Sequence, residues 1–142
     1  MAGPLGATPR EAVAALVASH GPTWVVDRCV DVLTRGDIDG DFLVGLSGRH
    51  AESVLQGREG GVEGYWPRVW ALRALLYIWE ERASLAVIGS LSDESWRVRE
   101  MALKVMIRHH GSVASSRRAI LARDPVARVR EALDRLKPEL GT

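Results

Sequence analysis

Basic side chains recur at a fixed spacing of 31 residues in the second half of the chain. One position carries a cation three times, at Arg73, Lys104 and Arg135, and another carries one twice, at Arg97 and Arg128. Cations at one structural position form a row when repeated units stack, and arginine binds carboxylate and phosphate groups through paired hydrogen bonds. These five residues are therefore candidates for anion binding. The alternative is a solvated helix face whose Glu–Arg pairs each contribute little.

Tryptophan residues accompany these cations. The chain has five Trp and two Tyr against one Phe. Trp66 and Trp96 lie at predicted helix starts beside arginines, where an indole can stack on a ligand. Trp70 and Trp79 lie in a strongly apolar stretch, which is typical of core residues. Trp66 and Trp96 therefore join the candidate binding residues, with core packing as their alternative.

The residues that could support catalysis or bind a metal are few and scattered. Cys29 is the only cysteine, and we interpret it as a small buried hydrophobe. His109 and His110 are adjacent, so they do not share a helix face and do not form a two-His metal site. The acidic loop 36–41 lacks the spacing of a calcium loop, and we expect Asp41 to cap a short helix instead. The sequence therefore indicates no catalytic residue, metal site or cofactor site. It favours a protein that is not an enzyme.

Apolar periodicity predicts that helices carry these residues throughout the chain. Thr8-Pro9-Arg10-Glu11 has the pattern of a capping box at the start of the first helix. The segment 57–64 is rich in glycine and is predicted to be a loop. The predicted helices cover residues 9–19, 23–34, 42–46, 50–55, 66–81, 83–91, 94–109, 113–122 and 126–136. A 31-residue period with this alternation of helix lengths is typical of stacked helix pairs.

The repeat resembles a known family over residues 65–136. The segments Asp93-x4-Val98-Arg99-x2-Ala102 and Asp124-x4-Val129-Arg130 resemble HEAT repeats of the short variety found in phycobilin-lyase-type proteins. The resemblance implies an all-α fold, an α-α superhelix (HEAT-like α-solenoid) of about four helix pairs with right-handed stacking. We expect a single domain over 1–142, with divergent helix pairs in 1–56, the Gly-rich loop 57–64 and HEAT-like repeats in 65–142.

The same resemblance implies structural roles for the Asp and Arg positions of the repeat. In HEAT-like proteins the Asp caps the first helix of a unit, and the Arg pairs with such an Asp in a neighbouring unit. Arg99 and Arg130, with Asp93 and Asp124, would then form a ladder between repeats. Arg68 occupies the equivalent position one unit earlier, but Val62 stands where its Asp would be, so its partner is left open.

Charge and composition limit the functional class. The 142 residues carry a net charge of +1. Residues 1–93 hold 8 basic and 12 acidic side chains, a net charge of −4, whereas residues 94–142 hold 11 basic and 6 acidic ones, a net charge of +5. No apolar run reaches the roughly 20 residues that span a bilayer. With one cysteine and no basic segment before the apolar stretch 12–18, we expect a cytoplasmic protein.

Three functions follow as hypotheses, of which a modifying enzyme or lyase chaperone related to phycobilin-lyase repeats rests on the shared scaffold only. The resemblance implies a non-catalytic scaffold that presents a concave surface to a protein partner. The alternative is a nucleic-acid-binding protein that resembles DNA alkylation-repair glycosylases in scaffold and uses the basic row and the tryptophans. The last helix has no evident partner helix, so either an earlier helix folds back over its apolar side chains or a second copy of the chain covers them, and we expect a homodimer through the C-terminal repeat. Those side chains are Val126, Val129, Leu133 and Leu136.

Overall fold

Eight α-helices make up most of the computed structural model, which describes residues 7–138. They are Pro9–His20 (α1), Pro22–Arg35 (α2), Gly40–Leu55 (α3), Trp66–Ala74 (α4), Ser84–Ser90 (α5), Trp96–Arg108 (α6), Ser115–Ala122 (α7) and Ala127–Arg135 (α8). Short 3-10 turns lie at Gly61–Glu63 and Glu81–Ala83. No strand occurs in residues 7–138, so the all-α prediction is confirmed there. Residues 1–6 and 139–142 of the predicted domain lie outside the described residues.

Local sequence sets the ends of the first three helices. The Thr8 hydroxyl accepts the Glu11 N–H at 3.2 Å and the Glu11 carboxylate accepts the Thr8 N–H at 2.9 Å, which confirms the predicted capping box. α3 is capped by Asp39, whose carboxylate accepts the Phe42 N–H at 3.1 Å. The prediction of Asp41 as this cap was wrong because the helix begins at Gly40, one residue before Asp41.

The middle of the chain agrees with the predicted helices in one place and departs from them in another. α3 consists of two helical segments that meet at a kink at Gly48, whose φ of 54° suits glycine, in agreement with the two predicted short helices on either side of it. α4 ends at Ala74, although the apolar pattern predicted a helix to residue 81. The pattern continues because the turn after α4 also packs its side chains inward: the ring of Trp79 stacks on His109 with centroids 4.2 Å apart.

The helices pack as consecutive pairs. α1 contacts α2, α3 contacts α4, α5 contacts α6 and α7 contacts α8. The even-numbered helices also contact one another in chain order, from α2 through α4 and α6 to α8. One cluster of buried side chains extends through these contacts from Val13 to Leu136, with Phe42 and Trp70 among its largest members. The even helices therefore form a continuous layer.

A polar cluster fastens the turn after α4 to the start of α2. Arg82 contacts the carboxylates of Asp27 at 2.6 Å and Glu80 at 2.7 Å, and donates to the Thr23 carbonyl at 3.2 Å. The Thr23 hydroxyl donates to Glu80 at 3.0 Å. Because Thr23 and Asp27 are more than 50 positions from Glu80 and Arg82 in sequence, the cluster joins the two halves of the chain.

Two arginine–aspartate pairs connect the even helices α4, α6 and α8. Arg68 donates from Nε to Asp93 Oδ2 at 2.7 Å and from Nη2 to Oδ1 at 3.1 Å. Arg99 makes the same two bonds to Asp124, at 2.7 and 3.1 Å. Such bidentate pairs are among the stronger hydrogen bonds in proteins. We call each arginine with its aspartate a rung.

The pairing direction corrects two expectations from the repeat. Each arginine reaches the aspartate of the following unit, 25 residues ahead, so Arg68 has a partner after all. Arg130 contacts no aspartate carboxylate 25 residues ahead among the described residues, and it donates from Nη1 to the backbone carbonyl of Asp124 instead. The expected pairing of Arg130 with an aspartate carboxylate is therefore absent among residues 7–138.

Both aspartates also serve the helix that follows them, although neither is the cap residue itself. Asp93 Oδ1 accepts the N–H of Ser95, and Asp124 Oδ1 accepts the N–H of Val126, each at 2.9 Å. Ser95 and Val126 are the cap residues of α6 and α8. Each carboxylate thus orders a helix start and an interhelical contact together.

The electrostatics of Asp124 make its rung sensitive to acid. Burial raises the pKa of this carboxyl, but hydrogen bonds from Arg99 and the Val126 N–H, with the charges of Arg99 and Arg130, outweigh burial and hold the pKa below its ordinary value. A lowered folded-state pKa means that the ionised carboxylate stabilises the fold above the unfolded-state pKa of about 3.9. That contribution is lost as the pH falls through the folded-state pKa.

Earlier helices cover the C-terminal helix, which was the first of the two expected alternatives. Val129, Leu133 and Leu136 are buried and Val126 is half-buried, because α6 and α7 both pack against α8. These apolar residues therefore give no support to a dimer, which stays a prediction. Apart from Ala127, the exposed side chains of α8 are charged.

We predict that Asp124→Asn lowers the free energy of unfolding by about 3 kcal/mol at pH 7, because it leaves Arg99 without its charged partner. Denaturant unfolding measures this loss. Asp134→Asn, at an exposed position on α8, is the matched control and should change it by less than about 0.5 kcal/mol. Between pH 5 and pH 2 the wild type should lose stability more steeply than Asp124→Asn. If the free energy of unfolding of the wild type and of Asp124→Asn fell in parallel over this pH range, the stabilising role of the ionised Asp124 carboxylate would be contradicted.

Candidate binding surface at the helix starts

Aromatic and arginine residues are concentrated at the starts of α4, α6 and α8. The 31-residue offset places Tyr65 just before the first residue of α4 and Trp96 at the first residue of α6. The next position holds Trp66 in α4, Arg97 in α6 and Arg128 in α8. Since the even helices lie side by side and the rungs fix their register, these five side chains come together on one edge of the layer. We call them the aromatic–arginine strip.

Cations and rings alternate along this strip. The guanidinium carbon of Arg97 lies 5.3 Å from the Tyr65 ring centroid and 4.5 Å from that of Trp96. The guanidinium carbon of Arg128 lies 5.5 Å from the Trp96 centroid. The rings of Tyr65 and Trp66 are 5.0 Å apart. The strip is thus a continuous series of ring and guanidinium contacts across three helices, in the range of cation–π attraction.

The aromatic end of the strip is anchored to the core through a histidine. The His50 ring lies 4.6 Å from Trp66 and 4.9 Å from the buried Trp70, edge to face in both cases. His50 Nε2 is 3.1 Å from a carboxylate oxygen of Glu59 in the Gly-rich segment. Trp66 therefore has a fixed orientation before any ligand arrives.

The other end of the strip is held by a largely buried carboxylate. Arg128 donates from Nε to Glu100 at 3.0 Å, and Lys104 lies 3.8 Å from the same oxygen. Arg97 and Arg128 are second residues of their helices, where a positive charge opposes the helix dipole. Neither helix has an acidic residue in its first turn or a side-chain cap. The carboxylates at these helix ends are instead those of Asp93 and Asp124, which precede the helices and accept the N–H groups of Ser95 and Val126.

A shallow cavity of about 400 Å³ adjoins the strip between α4 and α6. Tyr65, Trp96 and Arg97 form one side of it, with Gly64 and Glu94 among the remaining lining residues. Both signs of charge and two aromatic rings line this space. It suits a polar extended segment better than a wholly apolar ligand.

The predicted basic row does not form one surface. Arg73 is half-buried and donates to the Ser47 hydroxyl on α3 at 3.0 Å, and burial lowers the pKa of its guanidinium. Lys104 belongs to the Glu100 cluster, whereas Arg135 is exposed at the end of α8. The shared repeat position gives these residues different neighbours because α3 covers that part of α4. Of the predicted binding residues, the structure brings together Trp66, Trp96, Arg97 and Arg128.

Sequence reasoning missed two members of this neighbourhood. Tyr65 aligns with Trp96 at the same offset of 31, so the repeat itself contained the signal. Glu100 gave a weaker signal, because an exposed Glu–Arg pair within α6 was the simpler interpretation of its spacing. Its contact to Arg128 joins two helices instead.

The described residues offer little to catalysis. Cys29 is fully buried, and burial raises the pKa of its thiol to about 12. His109 Nε2 lies 2.6 Å from the Leu75 carbonyl. Within residues 7–138 no group of three or more His, Cys, Asp and Glu side chains is placed to hold a metal ion. Among these same residues, none of the helices combines the length and apolarity required to cross a bilayer.

Comparison with protein-family models, curated proteins and solved structures found no match to this chain.

We predict that Cys29 does not react with a thiol reagent such as a disulfide dye in the native protein at pH 8. Both burial and the raised pKa remove the thiolate that such reagents need. Reaction should become complete within minutes once denaturant unfolds the chain. Rapid labelling of the folded protein would show that α2 opens far more readily than its packing implies.

Proposed function

We propose that this chain is a HEAT-like α-solenoid of about four helix pairs that acts as a non-catalytic binding module for a protein partner. The consecutive pairing of helices and the ordered contacts of α2, α4, α6 and α8 support a repeat stack. The equal rungs at Arg68 and Arg99, one repeat apart, support a common register between units.

The observation that carries the proposed binding role is the alternating contact of Tyr65, Arg97, Trp96 and Arg128. Tyrosine, tryptophan and arginine are the residues that most often dominate protein interfaces. Here their side chains are already ordered against one another, so a partner loses less conformational entropy on binding. Two arginines at the second positions of their helices run against the preference for acidic residues there, and departures of that kind are expected where a site serves function.

Nucleic acid remains the second candidate partner. The charge of the second half of the chain and the half-buried aromatic rings of the strip favour it. Carboxylates around the strip oppose it: Glu94 lines the adjoining cavity and Glu100 already neutralises part of the charge of Arg128. A mixed surface of this kind favours a protein partner over a phosphate backbone.

A binding experiment with matched variants tests this function. The tagged full-length chain captures partners in its native host by cross-linking, and the captured partner is then purified and titrated by calorimetry. Arg97→Gln combined with Arg128→Gln should weaken the affinity at least tenfold, which corresponds to about 1.4 kcal/mol. Arg108→Gln, at the exposed end of α6, removes a charge outside the strip and should change the affinity less than twofold.

Two results would overturn the proposal. One is an unchanged affinity in the doubly substituted strip when its circular dichroism and melting temperature match those of the wild type. The other is a captured complex that disappears on nuclease treatment and whose affinity for a purified oligonucleotide falls steeply with salt. The second result would establish the nucleic-acid alternative.

A further inference from the structure

The two rungs define a carboxylate-binding geometry that the chain uses twice. In each, Nε and Nη2 of the arginine grip the two oxygens of one aspartate. In the second rung, Nη1 of Arg99 also donates to the Asp93 carbonyl, six residues upstream, at 2.9 Å. That third bond orients the guanidinium so that its forked edge faces away from its own helix.

Arg130 reproduces this arrangement without the aspartate. Its Nη1 donates to the Asp124 carbonyl, also six residues upstream, so its guanidinium is held in the manner of Arg99. Its Nε and Nη2 have no carboxylate partner among residues 7–138, and the side chain is exposed. The forked edge is therefore ordered and open.

The surroundings of Arg130 decide what this edge can bind. The large apolar side chains of α8 are turned into the core. Its exposed positions carry Glu131 and Asp134 as well as Arg128 and Arg135, so charges of both signs surround Arg130 and the helix lacks the continuous basic face that a phosphate backbone favours. A single carboxylate needs only the forked edge, and charge complementarity is local to it.

We propose that Arg130 binds an aspartate of the partner protein and so completes a third rung in trans. The aspartate would lie just before a helix and accept the N–H two residues further on, as Asp93 does from Ser95 and Asp124 from Val126. This inference rests on the proposed function in taking a protein as the ligand, but it concerns a residue outside the aromatic–arginine strip.

A peptide copied from the chain provides the probe. A fluorescein-labelled peptide of residues 90–98 carries Asp93 with Ser95 behind it and is titrated with the full-length protein by fluorescence anisotropy. Arg130→Gln should raise the dissociation constant at least fivefold. A peptide with Asn in place of Asp93 should bind the wild-type protein as weakly as the Asp peptide binds Arg130→Gln. With the Asn peptide, Arg130→Gln should cause no further loss of affinity. Arg35→Gln, which removes the same charge at the end of α2, should stay within twofold.

Three results would overturn the inference. Equal loss from Arg130→Gln and Arg35→Gln would mean that only net charge matters, and equal binding of the Asp and Asn peptides would mean that the carboxylate is not recognised. Displacement of the peptide by a single-stranded oligonucleotide at lower concentration than by unlabelled peptide would assign the edge to phosphate. If the peptide test of Arg130 fails while the strip substitutions still weaken the affinity for the purified partner, the proposed function stands. Strip substitutions without effect would remove the proposed function itself.

Discussion

The paired hydrogen bonds between Arg99 and Asp124 are the interaction on which the second half of the structure depends. The guanidinium and carboxylate are both largely removed from water, with side chains 14% and 6% exposed, so each needs the other to offset its desolvation. The same carboxylate orders the start of α8. One ion pair thus fixes both where a helix begins and how it sits against its neighbour.

This constraint also explains the position of the candidate binding surface. Rings and guanidinium groups alternate only when α4, α6 and α8 are held in register, because Arg97 and Arg128 each contact an aromatic side chain from the preceding even helix. A shift of one turn, about 5.4 Å, would separate Arg97 from Tyr65 and Arg128 from Trp96, and would leave Arg97 only the ring of its sequence neighbour Trp96. The relative positions of α4, α6 and α8 therefore determine both the packing of the helices and the contacts of the aromatic–arginine strip.

Much of this could be predicted from sequence, and the limits have physical causes. Capping residues and apolar periodicity located most helices, since these are local effects. The period of 31 identified which residues are equivalent, but not which neighbour each contacts. Arg68 therefore lacked a predicted partner, and the basic row from Arg73 to Arg135 was expected to be uniform. Both outcomes depend on what lies beside each helix, as with α3 over Arg73. Such contacts belong to the tertiary structure, and a pattern along the sequence does not specify them.

The central claim is that Arg68 and Arg99 are fastened by aspartates while Arg130 presents the same edge unoccupied. Hydrogen exchange of arginine Nε–H groups, measured by ¹⁵N NMR on the full-length protein, tests it directly. Groups held in buried hydrogen bonds exchange slowly and exposed groups exchange quickly. The account predicts that the Nε–H groups of Arg68 and Arg99 exchange roughly tenfold or more slowly than that of Arg130. Equal rates at all three arginines would contradict it.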